Sequence, residues 1–296
     1  MTSRAFRPLR ALRASFRTLA LLAFAAIAAP AAQADAILHA FNWRYADVQA
    51  RADQIRDAGY RIVLVSPAYK SEGSAWWARY QPQDVRLIHN PLGDTTAFRN
   101  MVTALQQRGI RVYADIVMNH MANEAFKRSD LNYPGSAVLS TYAGNTAYYN
   151  GLRLFGDLRY NVLSGNDFGP ARCIVDYNNV WEVQNYRLCG GSGDAGLPDL
   201  VGNSWVVPQQ QQYLQALKNM GVKGFRIDAA KHMPASFMNA VLTPAIKSGM
   251  HVFGEVITGG GAGNGEYDCF LAPYLRDTDH AAYDFPLHNQ LRSAFG

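Results

Sequence analysis

Two rhythms of apolar residues alternate along most of this 296-residue chain. One has the three-and-four spacing of a helix face, as in Val48, Ala52 and Ile55 and again in Phe98, Met101, Val102 and Leu105. The other consists of short β-rich runs: Ile37 to Trp43, Arg61 to Ser66, Ile110 to Val117, Val222 to Asp228 and Met250 to Val256. A glycine stands at the passage from helix to strand at Gly59, Gly109, Gly221 and Gly249, where it takes the left-handed cap without strain. A sixth run, Ala281 to Phe285, leads into a helix expected to start at Pro286. Alternating helices and strands predict a parallel sheet. The fold class expected is α/β, read as a (β/α)8 TIM barrel of which about six strands are present. Six strands cannot close such a barrel, so the chain is expected to be a piece of a longer product. The alternative is an open sheet with an unpaired edge.

Between Asn119 and Ser204 the alternation stops and Gly, Asn, Tyr and Asp take over, for longer than a simple loop allows. This predicts a small irregular domain inserted after the third strand. The expected organisation is barrel over 35–119, inserted domain over 120–203, and barrel again over 204–296. Cys173 and Cys189 enclose a short polar loop and are the expected disulfide, whose closure contributes about 3 kcal/mol in the chain-entropy model. Cys269 is left over, either as a buried free thiol or with a partner past Gly296.

The first thirty-four residues read as a signal peptide. Arg4, Arg7, Arg10, Arg13 and Arg17 form a basic start, Leu19 to Ala29 an apolar core, and Ala32-Gln33-Ala34 a cleavage site. The apolar stretch is short for a membrane anchor. A secreted, extracellular protein is expected, and the absence of an adjacent arginine pair favours the general secretory route. All of the net charge of +5 resides in those five arginines. The neutral remainder argues against nucleic acid as a partner, because phosphate binding needs surplus Lys and Arg. No membrane partner is expected, and the protein is expected to be a monomer.

Two β-rich runs end in a carboxylate, Asp228 in the fourth strand and Glu255 in the fifth. Reacting groups of such a barrel sit at the C-terminal ends of its strands. Neighbouring strands lie about 4.8 Å apart, so the two acids are expected to face each other across about 5 Å. A glycosidase that retains anomeric configuration uses that separation, with one acid as nucleophile and the other as acid/base. Arg226 shares a strand face with Asp228 and is expected to lower its pKa, whereas the apolar residues around Glu255 should raise that of the acid/base. The duller readings are a helix N-cap for Asp228 and a salt-bridged strand end for Glu255.

Several motifs together make the resemblance plain. Asp115-Ile116-Val117-Met118-Asn119-His120, Gly224 to His232, Gly254-Glu255-Val256-Ile257 and Leu197-Pro198-Asp199-Leu200 resemble, in order, short motifs of the α-amylase family of glycoside hydrolases. The resemblance implies that Asp228 is the nucleophile and Glu255 the acid/base, with Arg226, His120, Lys231 and His232 contacting sugar hydroxyls or the nucleophile. It implies that Trp76, Trp77, Tyr80 and Gln81 form a sugar-binding wall, with Tyr80 stacked beside the scissile bond. It also implies a structural Ca2+ held by side-chain oxygens of Asn119 and Asp199 and main-chain carbonyls of Arg187 and His232. A chloride ion, found in some members, is compatible with Arg226.

One departure stands against these matches. The family has a third acid, an Asp after a His near the end of the seventh strand, and Asp277, Asp279-His280 and Asp284 do not replace it. The stretch as given is expected to be impaired in catalysis. The leading expectation is an α-amylase cleaving internal α-1,4 bonds of starch and related glucans. A maltooligosaccharide-forming amylase or glucanotransferase, and a glucan-binding protein without catalysis, remain as alternatives.

Overall fold

A computed structural model describes residues 35–295. The expected signal peptide, residues 1–34, lies outside them. Residues from Ala36 onward form one compact unit. Its centre is a six-stranded sheet of β1 (Ile37–Ala40), β2 (Ile62–Val65), β3 (Arg111–Ile116), β4 (Gly224–Ile227), β5 (His251–Gly254) and β6 (Ala281–Ala282). The strands lie in chain order and every neighbouring pair is parallel. This is the consecutive, same-direction arrangement expected of the barrel.

Side-chain alternation divides the sheet into two faces. Val63, Val65, Val112, Ala114, Ile116, Phe225 and Ile227 belong to the main core, with Phe98, Met101, Val102 and Leu105 of the helix Thr95–Gln106 and Leu214 and Leu217 of the helix Val206–Asn219. The residues between them, Ile62, Leu64, Tyr113 and Phe253, form a separate inner cluster. Asp115, Arg226 and Glu255 share the parity of that inner set, which is why charge collects there.

The glycine junctions are as expected in three instances. Tyr60, Ile110 and Val222 donate to the carbonyls five residues back, Ile55, Leu105 and Leu217, after glycines with φ of 88°, 70° and 103°. That 6→1 bond is the helix closure glycine permits. Gly249 has φ of 72° after a shorter helix, Pro244–Lys247.

The strands are shorter than the β-rich runs. The first run ends at Ala40 because Asn42 turns left-handed, with φ of 57°. The sixth shrinks to Ala281–Ala282, where only Phe253 and Gly254 offer ladder partners, and the following helix starts at Phe285. The first helix is broken at Arg51 into Tyr45–Ala50 and Ala52–Asp57, although Val48, Ala52 and Ile55 are all buried as expected.

The segment 120–203 is irregular, with helices Ser136–Gly144, Thr146–Leu152 and Val180–Val183. Its Tyr133, Phe168, Ile174, Val183 and Leu200 join the main core, while Val138, Tyr142, Tyr149, Leu152 and Leu158 close a second cluster over Leu87. Cys173 and Cys189 are disulfide-bonded. Cys269 is free and exposed, which corrects the reading of it as a buried thiol. It lies at the outer side of the turn Tyr267–Leu271, where Phe270 and Leu271 take the inward positions.

Candidate active site

Asp228 and Glu255 each lie one residue past their strands, and their backbone N–H groups still bond to Ile116 and Ile227 of the preceding strand, both at 2.9 Å. Each carboxylate is thus carried on a rigid sheet edge. Gly254, just before Glu255, is required by close approach: a Cβ there would come within 2.4 Å of the Tyr274 hydroxyl.

One guanidinium joins the acids. Arg226 Nη1 lies 2.7 Å from Asp228 Oδ1, and Nη2 lies 2.6 Å from Glu255 Oε1. The same Nη1 is 2.9 Å from both oxygens of Asp115, the register partner of Arg226 on β3. Tyr80 donates its hydroxyl to Asp115 at 3.0 Å. The two acids therefore meet at one planar group.

Two buried acids, Asp115 and Asp228, and the half-buried Glu255 share one cation, and desolvation dominates. It pushes Asp115 up to about 7, with Arg226 opposing. Asp228 is also raised by burial against the pull of Arg226. This corrects the expectation that the guanidinium would leave Asp228 below its ordinary value: desolvation of an almost enclosed carboxylate outweighs a cation divided among three. Glu255 is raised, as expected, by burial. Exposure distinguishes the pair instead, at 12% of the side chain for Asp228 and 25% for Glu255.

The acids open into a cavity of about 420 Å³. Every expected sugar-contacting residue lines it: Trp76, Trp77, Tyr80, Gln81, His120, Arg226, Lys231 and His232. Trp76 and Trp77 are exposed, as a stacking surface must be. His120 has both ring nitrogens engaged, Nε2 with the Tyr80 carbonyl at 2.9 Å and Nδ1 with the Asn119 amide at 3.3 Å. Burial lowers it to about 4, so it is neutral near pH 7. Lys231 is ion-paired to Glu266 at 2.9 Å, and His232 Nδ1 bonds to the Val183 carbonyl at 3.1 Å.

Two of the expected metal residues, Asn119 and Asp199, meet where the irregular segment leaves and rejoins the sheet. Leu200 N–H donates to the Asn119 carbonyl at 2.8 Å, and His120 pairs with Asp199 in an antiparallel bridge. Asp199 is buried, bonded by the Asn119 side chain, and pushed up to about 8 by desolvation, with Arg187 pulling the other way. The Arg187 carbonyl already accepts from Ile174 at 3.1 Å. Among the described residues no three His, Cys, Asp or Glu side chains converge as a metal cluster. The side-chain oxygens of Asn119 and Asp199 are hard donors, which suit Ca2+ better than a nitrogen- or sulfur-preferring metal does.

Asp115, Glu266, Leu188, Leu197 and Ile257 were absent from the expected site. Asp115 was detectable, since alternation places it on the inner face of β3 opposite Arg226. Leu188 and Leu197 reach the cavity from the inserted segment, and nothing in their local sequence signals it.

The family model for the alpha-amylase catalytic domain matches residues 46–249. The chain belongs to the alpha-amylase family. It is 60% identical over 265 residues to an alpha-amylase of Aeromonas hydrophila, covering 90% of this chain and 57% of that protein. It is 35% identical over 221 residues to alpha-amylase 1B of Homo sapiens, covering 70% of this chain and 39% of that protein. The chain thus spans roughly half the length of the curated relatives it matches. Among solved structures, alpha-amylase I of Eisenia fetida is similar with a TM-score of 0.62 at 28% identity, covering 81% of this chain and 47% of that one. A mutant of the same enzyme, solved with maltohexaose, has a TM-score of 0.60 at 29% identity over 77% of this chain and 46% of that one. The alpha-amylase (β/α)8 barrel is represented here by its six consecutive parallel strands. Among the described residues, no helix is long and apolar enough to cross a membrane.

Proposed function

We propose that the protein is an exported alpha-amylase that hydrolyses internal α-1,4 bonds of starch and related glucans with retention of configuration. The observation that carries this reading is the single Arg226 guanidinium touching both Asp228 and Glu255 at the floor of an aromatic-walled cavity. Asp228, the deeper acid and held at one oxygen by Arg226, attacks the anomeric carbon as the glycosidic bond breaks. Glu255 delivers its proton to the departing oxygen and afterwards takes one from the water that cleaves the glycosyl ester. A group that exchanges protons on every turnover needs access to solvent, which favours the more exposed Glu255 for that role. Trp76 and Trp77 offer rigid faces to the apolar sides of glucose rings, with little side-chain entropy to lose. Export rests on the reading of residues 1–34.

Calcium fits the Asn119 and Asp199 oxygens, with the Arg187 and His232 carbonyls completing the set. When bound there, it would neutralise Asp199 and tie the inserted segment to the barrel. The deciding experiment is Asp228→Asn in the full-length protein. Starch hydrolysis should vanish while the melting temperature stays within a few degrees of wild type, and retained hydrolysis would dismiss the assignment.

A further inference from the structure

The cavity has two walls of different construction. Trp76, Trp77 and Tyr80 follow β2, on one side of the reacting acids, whereas Lys231 follows β4 and Ile257 follows β5. The proton donor Glu255 lies at the tip of β5, so the departing sugars lie over the Lys231 and Ile257 wall. That wall continues into Thr258-Gly259-Gly260-Gly261-Ala262-Gly263-Asn264-Gly265, a segment whose five glycines and exposed tip give it little packing of its own.

One carboxylate restrains the wall. Glu266 Oε1 accepts from Lys231 Nζ at 2.9 Å, and Oε2 accepts from the Gly259 N–H at 2.8 Å. A Cβ on Gly259 would stand 3.2 Å from that same Oε2, so the bond depends on a close approach. Lys231 also lies over the Phe270 ring, 4.7 Å from Nζ to the centroid. Its ammonium is thus fixed from two directions, Lys231 itself lines the cavity, and an ammonium has three N–H donors of which Glu266 takes one.

We propose that Glu266 is a positioning residue for binding on the leaving-group side, deepening the glycosidase reading on which it rests. By holding Lys231 and the start of the glycine-rich segment in one arrangement, it presents an ammonium donor and the Ile257 surface to hydroxyls and ring of the departing glucan. The ligand class is a neutral linear α-glucan extending past the scissile bond. Pre-organisation of a glycine-rich wall strengthens binding by reducing the ordering cost at association.

The test uses the full-length protein with two substrates: maltohexaose, which places sugars on both sides of the scissile bond, and an aryl α-maltoside, whose leaving group is one aromatic ring. Glu266→Ala should raise KM for maltohexaose about tenfold, the loss of one such interaction, while kcat stays within about twofold. The bond cleaved should move toward the reducing end, since fewer sugars are held past the acids, and the aryl maltoside should react nearly as in wild type. Glu266→Gln keeps an acceptor for Lys231 but loses the one for Gly259, so it should fall between, and it serves as the probe if the alanine variant does not fold. An active wild type whose Glu266 variants keep the same cleavage pattern, or lose kcat equally on both substrates, overturns this role alone. A wild type that cleaves neither substrate overturns the glycosidase reading and this inference with it.

Discussion

Asp115 and Arg226 stand opposite each other in register on neighbouring strands, and one guanidinium nitrogen lies 2.9 Å from each oxygen of the carboxylate. The other end of the fork reaches Glu255, and the first also serves Asp228. A lysine is a point charge and cannot span three carboxylates at once. Arg226→Lys in the full-length protein should therefore lower kcat on starch by about 100-fold or more, through misplaced acids, with a folded circular dichroism spectrum. A loss smaller than tenfold would mean that the fork does not set the geometry.

The same acid gives a pH signature. Burial raises Asp115 to about 7 in the folded protein, above its ordinary 3.8. Its contribution to stability is complete below the ordinary value and is lost as pH rises toward 7, because the folded state binds the proton more tightly. Asp115→Asn cannot titrate. Relative to wild type, its stability against unfolding should rise as pH is raised from about 4 to 7, because only the wild type loses the contribution of the bound proton. A pH-independent difference in urea titrations would refute the assignment.

Calcium removal should leave the buried Asp199 carboxyl without its cation partner. At a concentration about 100 times its dissociation constant, a ligand specific for the folded state contributes about 2.7 kcal/mol. Chelation should lower the melting temperature of the full-length wild type, and Asp199→Asn should abolish the difference between calcium and chelator. Identical wild-type melts in both conditions would count against this set of ligands.

The disulfide closes a loop of sequence separation 16. Replacing both Cys173 and Cys189 by Ala should cost about 3 kcal/mol by the loop-entropy argument. Leu188 and Leu197, beside and beyond Cys189, line the cavity, so KM should rise as well. Equilibrium urea unfolding and starch kinetics read the two effects separately.

Strand order, helix closures and the meeting of Asp228 with Glu255 were legible because each depends on local periodicity or on one spacing. Phe98, Met101, Val102 and Leu105 face the core as their spacing requires. The electrostatics of Asp228 were not legible, since burial is the largest cause and the depth of its enclosure follows from the packed fold, not from any local spacing. Glu266 was missed for a related reason. Its link to Lys231 crosses 35 residues, and no pattern in either segment marks it.

The junction glycines all lie at the amino ends of strands, ahead of β2, β3, β4 and β5, whereas Asp228, Glu255 and the aromatic wall depart from carboxyl ends. The scaffold thereby separates its upkeep from its chemistry. Segments on the reactive rim are therefore expected to tolerate exchange without disturbing the folds of chain that seal the opposite rim. For engineering, new specificity belongs on one rim and added thermal tolerance on the other, and changes at the two should combine almost independently.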